Sequence, residues 1–295
     1  MPSEIDQSAN PYYIDVVEHF GLAPDLCPFP ASESGVAVAD DYPLVGKTYI
    51  TSSMPCDGSL GQVAFMTRYF KDLPIFQITP PQRFKEEQVQ DYAVKNLEKC
   101  IAFIEENYQV KWDWDAFWKA CKMYNTEVEC ILNKWDVNST DYPQVCNAAL
   151  ALHREYEFMG TGCLDPKFLK TDLKVDKMMK KGYELDKKND ANKPRHRAIV
   201  WACPAHYYTN FTYWAQHCWG VKTVVDMECM LSHHFIHVGD KKEAMIDLAK
   251  SYEKMMMRSH TNGGYQNSLD ECWKMCERFN VNIVIMYDHV SCKNV

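Results

Sequence analysis

Three cysteines stand where separated loops could build a reactive site. Cys27 lies in Leu26-Cys27-Pro28-Phe29-Pro30, Cys56 in Met54-Pro55-Cys56-Asp57-Gly58, and Cys292 in Tyr287-Asp288-His289-Val290-Ser291-Cys292-Lys293. None falls within a helical apolar stripe, and each has a proline or a polar turn beside it, so the three sulfurs are free to converge. Three thiolates from different loops suit an iron–sulfur cluster with one iron left open, because a closed cluster takes four. Spacing alone leaves a plainer alternative standing, three unrelated loop thiols.

Other side chains near these cysteines carry two readings each. Ser52, Ser53 and Ser59 flank Cys56 and could bond a substrate carbonyl or a cluster sulfide, or simply cap turns. Glu33 is the nearest carboxylate to Cys27 and could shuttle a proton, though an exposed loop glutamate is the plain reading. His289, three residues before Cys292, could donate a hydrogen bond to a bound group or be structural. Cys203 and Cys229 follow strands and fall near the sheet edge or among buried thiols.

Most of the remaining cysteines point to packing. Thirteen is many for 295 residues, but the start Met-Pro-Ser-Glu has no secretory pattern, so the chain reads as cytoplasmic and its thiols as reduced. Cys100, Cys121 and Cys130 sit in helical apolar stripes; Cys272 and Cys276 are four apart, as metal ligands on one helix face could be, but lie among Trp273, Met275 and Phe279 and read as core. His233, His234 and His237 have the spacing of a metal-binding helix face and raise a zinc reading. No HExxH motif accompanies them, so a solvated loop or pocket wall is preferred. Trp112, Trp114, Trp118 and Trp135 read as core or a subunit interface.

The bulk numbers narrow the class. With 46% hydrophobic residues the chain can bury a large core, and a net charge of −8 argues against a nucleic-acid partner. No run of ~20 apolar residues could cross a bilayer.

The elements that must position these residues follow from periodicity. Residues 1–46 read as connecting structure with one short helix, Tyr12 to Phe20. A strand at Thr48–Ser52, a helix at Gly61–Phe70 and a strand at Pro74–Thr79 form a βαβ unit, which implies a parallel sheet. Residues 86–188 turn helical, with a cap at Asp113 or Asp115, a helix from Asp115 to Trp135, and another opened by Asp165-Pro166. Lys177–Lys193 reads as a solvated connection. A second α/β pattern runs from Arg197, with strands at Ala198–Ala202, Val221–Asp226 and Asn282–Tyr287 and helices at Tyr207–His217, Lys241–Met257 and Ser268–Phe279. The expectation is an α/β protein with two flavodoxin-like parallel-sheet domains, 1–84 and 194–295, and a helical insertion over 85–193. Because the last strand is followed by eight residues and no closing helix, the C-terminus reads as truncated.

The segments Cys27–Gly35, Ser53-Met54-Pro55-Cys56-Asp57-Gly58-Ser59 and His289-Val290-Ser291-Cys292-Lys293 resemble the family of 2-hydroxyacyl-CoA dehydratases and benzoyl-CoA reductases, nearest to an α-type subunit. The resemblance implies that Cys27, Cys56 and Cys292 hold a [4Fe-4S] cluster between two α/β domains. It further implies removal of water from an (R)-2-hydroxyacyl-CoA through a ketyl radical, an ATP-dependent activator iron–sulfur protein, and a homologous second subunit. Reduced flavin (FMN) in the complete complex stays open, as do a ring-reducing activity on benzoyl-CoA and an electron-relay role without catalysis.

Overall fold

The structure, a computed structural model, describes residues 10–41, 48–52, 57–79, 86–144, 166–201, 211–226, 234–254 and 265–286. These residues form an α/β protein with small parallel sheets, in two compact units that part between Trp112 and Asp113.

In the first unit, helix α1 (Asn10–His19) buries Val17. Helix α2 (Pro28–Ala39) begins directly after Cys27 and corrects the reading of residues 1–46 as connecting structure with a single helix. Pro28 and Pro30 look like breakers, but first-turn N–H groups have no partner inside a helix, so proline costs nothing there. Cys27 has φ −54° and ψ 132°, the extended conformation forced on a residue that precedes proline. Gly35 lets α2 approach α1, since a Cβ there would stand 2.1 Å from the Tyr13 carbonyl oxygen.

Strand β1 (Tyr49–Ser52), helix α3 (Asp57–Tyr69) and strand β2 (Ile75–Ile78) are the expected βαβ unit. The strands run parallel, Tyr49 opposite Ile75 and Ser52 opposite Ile78. Val17, Leu22, Ala31, Ala37, Phe65 and Met66 form the core beneath them, with Leu26 and Tyr49 packed against it. Helix α4 (Glu87–Tyr108) turns Ala93, Val94, Leu97 and Cys100 inward.

The second unit opens with helix α5 (Trp114–Asn138). As the sequence suggests, Asp113 caps it, accepting from the N–H of Asp115 at 2.9 Å and of Ala116 at 3.0 Å. Helix α6 (Pro166–Asn189) extends through most of the lysine-rich stretch read as a solvated connection, which is corrected here. The inward face of α6 carries Asp172, Asp176 and Met179 instead of an apolar stripe, so the hydrophobic period is faint.

Strand β3 (His196–Trp201) lies between β4 (Val221–Asp226) and β5 (Ile283–Met286), all parallel. Helix α7 (Phe211–Trp219) precedes β4, and α8 (Lys241–Lys254) and α9 (Tyr265–Arg278) precede β5. Ile131 and Trp135 of α5 meet Ile199, Trp201, Val224, Val225, Cys276 and Phe279 in the core. Buried Arg197 pins three segments together, donating to the backbone carbonyls of Phe279, Thr140 and Asn138. No helix among the described residues is long and apolar enough to cross a membrane.

Candidate functional site

Cys27 is the one proposed ligand within the described residues. It is half-buried and occupies the N-cap of α2 without a side-chain capping bond. The helix presents its positive end there, the ordinary setting for an anionic ligand. With proline at 28 and 30, only Phe29 brings an amide N–H to the first three helical positions.

Glu33 corrects the plain reading of an exposed loop glutamate. It sits on α2, half-buried, and its Oε2 accepts from Gln62 Nε2 of α3 at 3.0 Å. Burial, with the Glu33 carboxylate adding to it, pushes the Tyr49 phenol above its ordinary range, against a hydrogen bond from Thr51. A phenol is protonated at neutral pH in any case, and burial only strengthens that for Tyr49. Ser34 bonds back to the Pro30 carbonyl at 2.8 Å, and buried Ser32 leaves its Oγ without a partner among the described residues. Gly61, beside Gln62, accommodates Leu26: a Cβ there would meet Leu26 Cδ1 at 2.7 Å.

Gly61 and Gln62 were not among the residues singled out from sequence, yet one signal was present. A glycine inside a helix costs about 1 kcal/mol, and its survival there usually marks a close approach. Nothing local distinguishes Gln62 from a solvent-facing glutamine, although it is 6% exposed.

Ser53, Cys56, His289, Cys292, Cys203, Cys229 and His233 lie outside the described residues. Ser52 ends β1 and Ser59 is half-buried in the first turn of α3, so the chain around Cys56 joins the carboxyl end of a strand to the start of a helix. Loops at that edge of a parallel sheet are where α/β proteins place ligands.

The packing readings of Cys100, Cys121, Cys130, Cys272 and Cys276 hold, whereas Cys218 is exposed and Cys272 only half-buried. Cys100, Cys121 and Cys130 are buried, and burial pushes the Cys121 and Cys130 thiols up to about 11. Burial, with Cys276 beside it, also drives Cys272 well above the ordinary thiol range. Such thiols stay protonated and inert. Trp273, in contrast, is exposed and no part of their surroundings in the core. His234 and His237 are not on a helix. His234 Nε2 lies 2.9 Å from Asp247 Oδ1, and the His237 backbone N–H donates to Asp247 Oδ2.

Among the described residues no three His, Cys, Asp or Glu side chains gather as a self-contained metal site. Any metal at Cys27 would therefore draw on donors outside them; a thiol is the ligand type that iron–sulfur clusters use, and one alone makes no cluster site.

The family model described as 2-hydroxyglutaryl-CoA dehydratase, D-component, matches residues 5–295. The chain belongs to that family. No curated protein matches its sequence. Membership of the dehydratase D-component family embraces both compact units, since the match runs through β1 to β5 without a break.

Proposed function

We propose that this chain is the cluster-bearing component of a 2-hydroxyacyl-CoA dehydratase, working in the cytoplasm with a homologous second subunit and an ATP-dependent activator. Cys27, Cys56 and Cys292 are the proposed ligands of a [4Fe-4S] cluster, and the two α/β units are read as flavodoxin-like. The family match over residues 5–295 carries the reading, and the helix-start position of Cys27 supports it.

The reaction removes the hydroxyl from C2 of an (R)-2-hydroxyacyl-CoA and a proton from C3, leaving (E)-2-enoyl-CoA and water. A C3 proton beside an intact thioester has almost no acidity, so simple acid–base catalysis cannot remove it. When bound, the cluster supplies one electron at low potential, returned at the end of the turnover, and an iron position open to a substrate oxygen. Glu33 is assigned the proton-transfer role, because Gln62 fixes its carboxylate. Ser53 and His289 are assigned to the thioester oxygen and FMN to the complete complex.

Anaerobic purification with iron and sulfide counting tests the cluster. About four irons per chain are expected. Replacing Cys27 by serine should bleach the broad visible absorbance, whereas replacing Cys272 should not. Equal loss from both would contradict the ligand assignment.

A further inference from the structure

Two neighbouring residues of α3 hold the chain on both sides of Cys27. Gly61 receives Leu26, the residue directly before Cys27, so closely that an added methyl group would force the leucine side chain to shift. Gln62 holds Glu33, six residues after Cys27, through the 3.0 Å amide–carboxylate bond. Leu26 is half-buried and also packed against the core of Val17, Leu22 and Phe65, so its side chain is held on two sides.

We infer that Gly61 and Gln62 are positioning residues for Cys27: together they clamp α2 against α3 and set where the Cys27 sulfur lies. This rests on the reading of Cys27 as a cluster ligand. Neither residue touches a cluster or a substrate in this account; both act through Leu26 and Glu33. The physical demand is clear, since a multi-ligand metal site tolerates only a few tenths of an ångström in its donors. A helix N-cap held only by its own turn frays at the first residue, whereas one tied by a packed leucine and a buried amide does not.

The test compares Gly61→Ala and Gln62→Leu with Leu97→Ala, a truncation on α4 in the same unit. Leu97 is buried but stands outside the core that Leu26 packs against, so its truncation loosens the unit away from the clamp. Two quantities are read in each protein. One is the rate at which iodoacetamide alkylates Cys27 in the cluster-free chain, followed by mass spectrometry of its peptide. The other is the electron paramagnetic resonance spectrum and iron content after anaerobic reconstitution. Melting temperatures place the variants on a common stability scale.

Gly61→Ala and Gln62→Leu are expected to change the Cys27 alkylation rate several-fold and to broaden or shift the resonance spectrum. Leu97→Ala, at an equal or greater loss of melting temperature, should leave both unchanged. If Leu97→Ala shifts them as far as the α3 variants do, the clamp is ordinary packing and the inference fails. The inference also fails if the α3 variants match the wild type in both readouts. A wild-type chain that binds no iron would instead contradict the cluster reading itself, and the alkylation arm, which needs no cluster, would still judge the clamp.

Discussion

Helix N-caps are ordinarily serine, threonine, aspartate or asparagine, whose side-chain oxygen accepts from an amide of the first turn. At position 27 the chain instead uses cysteine, which makes no such bond. Helix stability therefore gives no reason for the choice, and a serine substitution separates the two roles of the residue. Cys27→Ser should leave the thermal midpoint of the protein unchanged or raise it, by up to about 1 kcal/mol of added capping. The same variant should lose bound iron. Cys276→Ser should do the reverse, since it puts a hydroxyl into the core beside Trp135 and Phe279. A loss of about 1–3 kcal/mol is expected from that burial, with iron content unaltered. Urea melts paired with iron counts check both variants, and a Cys27→Ser protein that no longer folds would undo the separation.

At the scale of elements, α5 and α6 meet through charge. Glu127, Cys130 and Lys134 lie three and four residues apart on one face of α5, and Asp172 and Asp176 lie four apart on α6. Lys134 and Asp172 form a fully buried ion pair. Removing one partner of such a pair strands the other, so Lys134→Met should cost about 3–5 kcal/mol in urea unfolding. Glu127 is 5% exposed, and burial, with the Asp172 charge adding to it and Lys134 opposing, raises its carboxyl to about 8.

Between the ordinary glutamate value and about 8 the folded chain holds a proton that the unfolded chain has released. The contribution of Glu127 to stability is therefore largest below the unfolded value and is lost as the pH rises through about 8. Glu127→Gln should flatten that fall and stabilise the protein near pH 8 by a few kcal/mol at most, on the order of 1–3 kcal/mol. Unfolding midpoints from pH 5 to 9 decide it, and parallel slopes in the two proteins would contradict the raised carboxyl.

The same two elements show what the sequence could and could not reveal. The Asp113 cap and the apolar period of α5 were legible because capping and packing both leave local signals. Helix α6 was legible only at its proline start, since its buried face is acidic and lysines fill the rest. Helix α2 was hidden by two prolines that punctuate a loop as readily as they open a helix. The cysteine at its start was conspicuous by type and by resemblance. Its clamp was not, because the partners of Gly61 and Gln62 lie 35 and 29 residues away, and no local pattern records such contacts.

For the whole molecule, the strands of each unit lie in parallel sheets, which need crossover connections and direct their functional loops to one edge. Membership of the dehydratase D-component family across both units makes a multi-component enzyme the natural setting for the chain. In the proposed cluster an open iron would have no fourth ligand to resist attack, so air should bleach the reconstituted protein and abolish turnover together. Activity that persists through prolonged aeration would argue for a different chemistry at Cys27. The most direct measurement is a mass-spectrometric search for enoyl-CoA. The chain would be combined anaerobically with its homologous subunit, activator, ATP, reductant and an (R)-2-hydroxyacyl-CoA. The account predicts product only when activator and ATP are present, and none from the Cys27→Ser chain. Full turnover without activator, or undiminished turnover by Cys27→Ser, would contradict it.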